Sequence, residues 1–151
     1  MKLSKKGEYG LRALLALAFV YDERTLNLRE ISKQEKIPHK FLEQIMMLLK
    51  KTGFVDSVKG KYGGYSLSRS PKKITLGEIV RAVEGPLSPI GTVDEIKKRI
   101  QVEDHHPGLY VAFLEVRDAT AEILDKRTLA DVCKKSLELT GSKSPYQMYH
   151  I

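Results

Sequence analysis

The stretch LREISKQEKIPHKFLEQIMMLLKKTGFVDSVKGKYGGYSL, residues 28–67, predicts two short helices followed by a β-hairpin. Asn27 and Glu30 form a capping pair for the helix at residues 28–35, because each side chain can accept a hydrogen bond from a free backbone N–H at the helix start. A proline then opens the second helix, residues 38–51, and a glycine ends it. Two short helices joined by a brief turn are typical of a helix-turn-helix.

The second of these helices separates apolar from polar side chains. At about 100° per residue, four apolar residues share one quadrant: Leu42, Ile45, Met46 and Leu49. The opposite face carries Lys40, Glu43, Gln44, Met47 and Lys51. Mixed charges and an amide suit a DNA major groove, whose base edges present both donors and acceptors. A solvated face is the alternative for an isolated helix, but the position before a basic hairpin favours the groove.

The hairpin has cations at its tip. Its strands, residues 54–59 and 65–69, surround the turn GKYGG, whose glycines permit positive φ and close approach of the backbone to another surface. A hairpin after a helix-turn-helix is a wing, and Lys59 and Lys61 would then contact phosphates or a minor groove. The alternative is a solvated turn whose lysines prevent pairing of the sheet edge.

Other signals divide the rest of the chain. A first helix is predicted over residues 5–21, with a buried side made of Leu11, Leu14, Leu15, Ala18 and Phe19. Threonines followed three positions later by an acid mark further helix starts at Thr75, Thr92 and Thr128. Glycines and prolines between positions 85 and 91 form a hinge. We therefore predict a winged helix-turn-helix domain over residues 1–90, effector-region and dimerisation helices over residues 91–140, and a flexible tail over residues 141–151.

A longer helix, residues 109–126, has an apolar surface wider than a single neighbour requires. Its main stripe consists of Leu109, Phe113, Val116, Thr120, Ile123 and Leu124. We expect this helix to pack both on its own chain and on a second copy, as in a homodimer. The predicted fold class is mainly α with a small β-hairpin: a winged helix-turn-helix domain followed by a long dimerisation helix.

The basic charge of the chain is confined to one part. The 151 residues carry a net charge of +7. Residues 1–91 hold 17 Lys and Arg against 9 Asp and Glu, a net of +8, and residues 92–151 hold 9 against 10, a net of −1. This asymmetry favours nucleic acid as the partner of the N-terminal part, with an anionic membrane surface as the alternative.

The sequence predicts a cytoplasmic protein. Its longest apolar run, residues 13–21, is only nine residues, whereas about 18 are needed to cross a bilayer. The N-terminus has basic residues but no cleavage site of small residues, so we expect no secretory signal. The one cysteine, Cys133, cannot form an internal disulfide, which is usual for cytoplasmic proteins.

Three segments closely resemble the Rrf2 family of bacterial winged-helix transcription regulators: MKLSKKGEYGLRALLALA at residues 1–18, the long segment at residues 28–89, and RTLADV at residues 127–132. The combination of FLEQ, GFV, GGY and ITLGEIVRAVEGP is not a general winged-helix pattern. The resemblance implies a homodimeric regulator, commonly a repressor, whose long helices pair two subunits. It also implies that the recognition helices enter successive major grooves of a partly palindromic operator on double-stranded DNA.

The resemblance further implies that Glu43 and Lys40 read bases, and it gives Lys59 the place of an arginine that reaches the minor groove. Gln44, which lies on the same exposed face of the helix, is also predicted to read bases. A carboxylate can accept from the cytosine amine, whereas the acceptor edges of other bases repel it. A salt bridge from Glu43 to Lys40 or Lys50 is the alternative role. The predicted contacts to the DNA backbone are Lys5, Lys6, Lys50, Lys51, Ser57, Lys61 and Tyr62.

Many family members hold an iron–sulfur cluster on three cysteines between the post-wing helix and the long helix. Here that stretch is GTVDEIKKRIQVEDHHPG, residues 91–108, which contains no cysteine. No cofactor and no metal is therefore predicted. Whether Glu8, His105, His106 or Cys133 bind an atypical metal or cluster stays open. Relatives without a cluster include repressors of sulfur and cysteine metabolism, and a small-molecule or protein effector is compatible with this sequence.

No motif for catalysis is present. The sequence has no glycine-rich phosphate loop, nucleophile elbow or zinc helix motif, so no enzymatic activity is predicted. The predicted function is sequence-specific DNA binding in transcriptional regulation. The alternatives are a winged-helix protein-interaction module that binds an acidic partner, and a metal or redox sensor with atypical ligands.

Overall fold

The computed structural model describes residues 2–102, 105–141, 144 and 146. These residues form helices and one two-stranded antiparallel hairpin, in the order α1 (Lys5–Phe19), α2 (Leu28–Glu35), α3 (His39–Lys51), β1 (Val55–Val58), β2 (Gly64–Leu67), α4 (Leu76–Glu84), α5 (Val93–Val102), α6 (Pro107–Leu124) and α7 (Leu129–Thr140). A single 3₁₀ turn at Pro71–Lys73 precedes α4. Among the described residues, none of the helices combines the length and apolar character that a membrane span requires.

The predicted capping pairs begin α2, α4, α5 and α7. At α4, for example, the Thr75 hydroxyl accepts from the Glu78 N–H at 3.2 Å, and the Glu78 carboxylate accepts from the Thr75 N–H at 2.9 Å. Each pair satisfies two backbone donors that the helix itself leaves free. Ser4 caps α1 in a simpler way, accepting from the Gly7 N–H at 3.1 Å. Local sequence therefore fixes where these helices begin.

The predicted buried side of α1 does face the core, but it is not the most buried side, because Leu11, Leu15, Ala18 and Phe19 are only partly buried. Of the five residues predicted there, only Leu14 is fully buried; the buried residues of α1 are Gly7, Gly10, Ala13, Leu14, Ala16 and Leu17. The reason is that α1 lies centrally, with α2, α3, α4, α7 and β2 all packed against it. Small residues let those neighbours approach on several sides, and a single-stripe analysis does not detect such a helix.

The wing is held against the chain before α2. In the hairpin, Val55 pairs with Leu67 and Val58 pairs with Gly64. Leu26 adds a bridge to Tyr65, with N–H···O distances of 3.1 and 2.7 Å in the two directions. Gly64 has φ 151°, and a Cβ there would lie 2.5 Å from the Leu26 carbonyl oxygen. The second glycine of GGY is therefore required for this close approach.

The core of the N-terminal part also includes residues from the C-terminal end. Leu129 and Tyr146 are buried together with the apolar residues of α1 to α4. The Tyr146 ring stacks on Phe19 at 6.2 Å, and its hydroxyl donates to the Glu35 carboxylate. Burial and the nearby carboxylate raise the pKa of Tyr146 well above its ordinary value, so the hydroxyl stays a donor. Most of the tail, residues 142, 143, 145 and 147–151, lies outside the described residues.

The end of α6 is fixed to the start of α4. Backbone bonds join the Leu76 N–H to the Arg127 carbonyl at 2.8 Å and the Leu129 N–H to the Ile74 carbonyl at 2.9 Å. Beside them, the Arg81 guanidinium donates to both oxygens of Asp125 at 2.6 and 2.8 Å. These contacts join the two predicted domains, whose boundary stays a prediction.

Candidate nucleic-acid interface

The exposed face of α3 carries the predicted base-reading residues. Lys40, Glu43 and Gln44 are exposed, and so is Met47, at 70%. The predicted buried stripe is confirmed, because the buried residues of α3 are Leu42, Ile45, Met46 and Leu49. Packing of that stripe on the core therefore orients the polar side chains of the other face outward. Such a face can reach base edges in a major groove without moving the helix.

Glu43 pairs with a residue that the sequence analysis did not name. His39 Nδ1 lies 3.3 Å from Glu43 Oε1, one helical turn away, and both side chains are about half exposed, at 52% and 50%. The alternative salt bridge from Glu43 to Lys40 or Lys50 is not found among the described side chains. A half-exposed pair is weak, so the carboxylate stays accessible to a base. The (i, i+4) spacing of His39 and Glu43 was the signal that could have revealed the pair.

A side-chain bond links α3 to the wing. Lys50 Nζ donates to the Ser57 hydroxyl of β1 at 2.7 Å, and both residues are exposed. The two predicted backbone contacts are thus brought together. The bond joins the C-terminal end of α3 to the first strand of the hairpin.

The tip of the wing is the most exposed part of the candidate surface. Tyr62 is 82% exposed, and the Lys61 ammonium lies 5.6 Å from the centre of its ring. Lys59 is exposed as well. The Thr25 hydroxyl donates to the Tyr62 carbonyl at 2.9 Å, which ties the tip to the segment before α2. A cation and an aromatic ring that project together can contact phosphate and sugar.

The N-terminal lysines lie at the start of α1. Both Lys5 and Lys6 are exposed. Lys5 forms an ion pair with Glu8 at 3.7 Å and lies 5.7 Å from the Tyr9 ring centre. Tyr9 in turn contacts Phe41 of α3 edge to face, with ring centres 5.6 Å apart. Lys5 is therefore separated from the recognition helix by one aromatic side chain.

The structure adds Arg29 to the candidate surface. It is exposed in the first turn of α2 and lines a groove of about 420 Å³ between α2 and the wing. Among the described residues it has no ion-pair partner. The groove also contains Ser57 and the glycines of the wing. Arg29 was not among the predicted contacts, although its place in the first turn of α2 is a signal that the sequence carries.

The outer face of α6 is apolar and exposed. Leu109, Val116 and Ile123 are 50%, 52% and 57% exposed, and Ala121 is the one residue of α6 that is buried. The remaining predicted interface residues, Phe113, Thr120 and Leu124, are half-buried. Leu124 packs on the small buried cluster of Val80, Leu87 and Ala121 in its own chain. The stripe therefore has a half-buried inner edge, made of Phe113, Thr120 and Leu124. Its exposed outer edge is made of Leu109, Val116 and Ile123.

The residues that the structure describes do not fit an iron–sulfur cluster. Burial raises the pKa of the Cys133 thiol to about 11, which disfavours the thiolate that a cluster needs. In the described part of the chain, no group of three or more His, Cys, Asp or Glu side chains is placed to hold a metal ion. The rings of His105 and His106 lie 6.2 Å apart and are tilted by 53°. Glu8 pairs with Lys5.

Comparisons of the sequence with a family model and with known proteins identify the same family. A family model described as "Rrf2: Iron-dependent Transcriptional regulator" matches residues 3–135. The HTH-type transcriptional regulator CymR of Bacillus subtilis is 35% identical over 149 residues, which cover 99% of each chain.

Solved structures agree with the sequence comparison. The structure of CymR, titled the global cysteine regulator of B. subtilis, has a TM-score of 0.77 and 36% identity, covering 89% of this chain and 98% of that one. T. potens IscR has a TM-score of 0.72 and 32% identity, covering 99% and 97%. These likenesses confirm the predicted winged-helix fold class. The chain belongs to the Rrf2 family and is a DNA-binding, helix-turn-helix transcriptional regulator.

Proposed function

We propose that the protein represses transcription as a homodimer that places its two α3 helices in successive major grooves of one partly palindromic operator. The observation that carries this proposal is the exposed polar face of α3 beside the wing. Its side chains are oriented outward by a fully buried stripe on the opposite face. A two-fold dimer presents two such faces, so its operator has matching half-sites.

Base discrimination falls to α3 and the wing tip. Glu43 accepts from a cytosine amine, and Gln44 can both donate to and accept from a base edge. Lys40 donates to purine acceptors, and Lys59 reaches the minor groove as a single charge instead of a planar fork. The weak pairing with His39 is released when Glu43 meets a base.

Affinity comes from contacts to the phosphate backbone. Lys61 and Tyr62 extend from the wing tip, and Arg29 supplies an exposed cation at the start of α2. The remaining proposed contacts are Lys5, Lys6, Lys50, Lys51 and Ser57. Each neutralised phosphate releases a counterion, so binding weakens as salt concentration rises.

Dimerisation uses the outer edge of α6. Leu109, Val116 and Ile123 lack apolar neighbours that would cover them within the described chain. A second α6 packed along this edge would bury all three. The backbone bonds between α4 and the end of α6 then fix each DNA-binding surface relative to the dimer axis.

In the proposed function, the protein regulates transcription without an iron–sulfur cluster and without enzymatic activity. The described side chains do not suit iron, and the proposed effector that sets its occupancy of DNA is a small molecule or a protein. A regulator of this type acts in the cytoplasm, where the operator is. The likeness to CymR along nearly the whole chain supports genes of cysteine or sulfur metabolism as targets. Genome-wide mapping of bound sites would identify them.

The proposal is tested with duplexes selected from a random library by the full-length protein. Fluorescence anisotropy should give at least ~10³-fold tighter binding to the selected duplex than to a scrambled one, with affinity falling linearly against salt in a log–log plot. Lys98→Ala, a change to an exposed lysine of α5, serves as the control and should leave both quantities unchanged. Equal affinity for selected and scrambled duplexes would instead support a protein-interaction module.

A further inference from the structure

We propose that Met47 recognises a thymine in each half-site, through the C5-methyl group that thymine presents in the major groove. This inference rests on the proposed function and specifies one part of the sequence that α3 selects. It concerns the one large apolar side chain on the face of α3 that points away from the core.

Met47 lies at the centre of the candidate reading face. At about 100° per residue, its direction falls between those of Glu43 and Gln44, and Lys40 lies close to it in angle. Along the helix it is one turn beyond Glu43, about 6 Å. Any duplex that Glu43 and Gln44 both touch therefore brings a base edge close to Met47.

The exposure of Met47 is not required by the fold. Its side chain is 70% exposed, whereas the adjacent Met46 is fully buried in the core. Neither side chain has a hydrogen bond or ion pair among the described contacts. A single exposed apolar residue is common on protein surfaces. What distinguishes Met47 is that the side chains around it are Lys40, Glu43 and Gln44.

The chemistry of the major groove selects the partner. Base edges there present donors, acceptors and one apolar group, the methyl of thymine. Glu43 and Lys40 can satisfy the polar groups, but a thioether side chain is at most a weak acceptor. Methionine is flexible and polarizable, so it can adapt its shape to a methyl group. Met47 and a thymine methyl would then exclude water from each other.

The test uses a duplex selected by the full-length parent protein. Each thymine is replaced in turn by deoxyuridine, which keeps every hydrogen-bonding group and removes only the methyl. We expect one symmetry-related pair of thymines to show about a fourfold loss of affinity per methyl, the value for removing one buried methylene-sized group. Met47→Ala changes both subunits of the dimer, so it should weaken binding to the unmodified duplex by about 16-fold, fourfold for each half-site, and lose sensitivity at those positions. Met47→Leu should retain the sensitivity to the thymine methyl groups.

Controls separate the possible failures. Leu139→Ala removes an exposed apolar side chain, 78% exposed, from α7 and should retain the thymine sensitivity. If no thymine matters to the parent protein, or if Met47→Ala keeps the same sensitivity, the inference is overturned while the proposed function stands. If selection enriches no duplex, both fail. The uracil scan of the parent protein needs no variant, so a folding defect cannot obscure the result.

Discussion

The outer faces of α3 and α6 are both exposed, but they differ in chemistry. The α3 face is polar around a single methionine, whereas the α6 face presents Leu109, Val116 and Ile123 at 50% to 57% exposure. The first face suits a partner whose edges alternate between donors and acceptors. The α6 face suits the same apolar face on a second copy of the chain. Exposure alone does not indicate function; the pattern of side chains within the exposed face does.

Charges on the α6 face should separate the two subunits. We predict that Val116→Glu together with Ile123→Glu yields a monomer, because two carboxylates per subunit would be brought into an apolar interface. Affinity for the selected operator should fall by about 10² to 10⁴, the usual gain from linking two binding sites. Sedimentation equilibrium and anisotropy measure the two effects. Leu139→Glu on α7 is the control, and a double variant that stays dimeric would contradict the role of this face.

Removal of the Tyr146 side chain should destabilise the packing of α1 and α2 and leave the outer face of α6 unchanged. Tyr146→Ala empties a space between α1 and α2, so the free energy of unfolding should fall by about 3–5 kcal/mol. Tyr146→Phe keeps the ring and loses the bond to Glu35, which should cost about 1 kcal/mol. Urea denaturation measures both, while sedimentation at low temperature checks that dimerisation persists. Equal unfolding midpoints for parent and Tyr146→Ala would show that the described packing contributes nothing.

Glu43→Ala should relax base preference without much effect on general affinity. The ratio of affinities for selected and scrambled duplexes should fall roughly 5- to 150-fold. This corresponds to a loss of about 1–3 kcal/mol in the binding free energy that separates the two duplexes. The reason is that an alanine no longer excludes bases with acceptor edges. Glu138→Ala, which removes an exposed acid from α7, is the control. An unchanged ratio in the Glu43 variant would remove this residue from the base-reading set.

Lys61→Ala should weaken all duplexes by a similar factor. If each of the two Lys61 ammonium groups of the dimer contacts one phosphate, the slope of log affinity against log salt should decrease by about 2. Titrations at several salt concentrations give that slope, and Lys98→Ala should leave it unchanged. A loss confined to the selected duplex would mean that Lys61 reads sequence.

The contact between Arg81 and Asp125 should give a small stability effect that depends on pH. The hydrogen bond from Arg81 lowers the pKa of Asp125 below its ordinary value. The stabilisation is therefore complete above the unfolded-state pKa and is lost as pH falls through the folded-state pKa. Because both groups are exposed, Asp125→Asn should cost only about 0.2–1 kcal/mol at neutral pH.

Urea midpoints of parent and Asp125→Asn measure this contact. The difference between them should shrink in acid. A difference that is the same at neutral and acid pH would show that the ion pair is not its source.

Local patterns in the sequence predicted the elements that are proposed to contact DNA. The capping pair at Asn27 and Glu30, the apolar quadrant of α3 and the glycines of the wing all act within a few residues of each other. Contacts between distant segments were not predicted. Nothing near Tyr146 indicates that it packs on Phe19, and nothing near Asp125 indicates Arg81. Such pairs depend on how the chain folds back on itself, which helical periodicity does not describe.

The same distinction explains why the prediction for α1 was incomplete. Its residues pack on several neighbours, so no single stripe marks its buried side. On α3 the core lies on one side only, and the periodicity of its apolar residues was sufficient. The exposed face of α3 was therefore predictable, and sequence signals for His39 and Arg29 also existed: the (i, i+4) spacing to Glu43 and the position in the first turn of α2.

Methylation protection of guanine N7 in the bound operator tests the central claim most directly, because that atom lies in the major groove. Two α3 helices in successive grooves should protect two clusters of guanines, related by two-fold symmetry and separated by whole turns of about 10 base pairs. Protection of a single cluster, or reactivity equal to that of free DNA, would contradict the assignment of α3 as the base-reading element of a dimer.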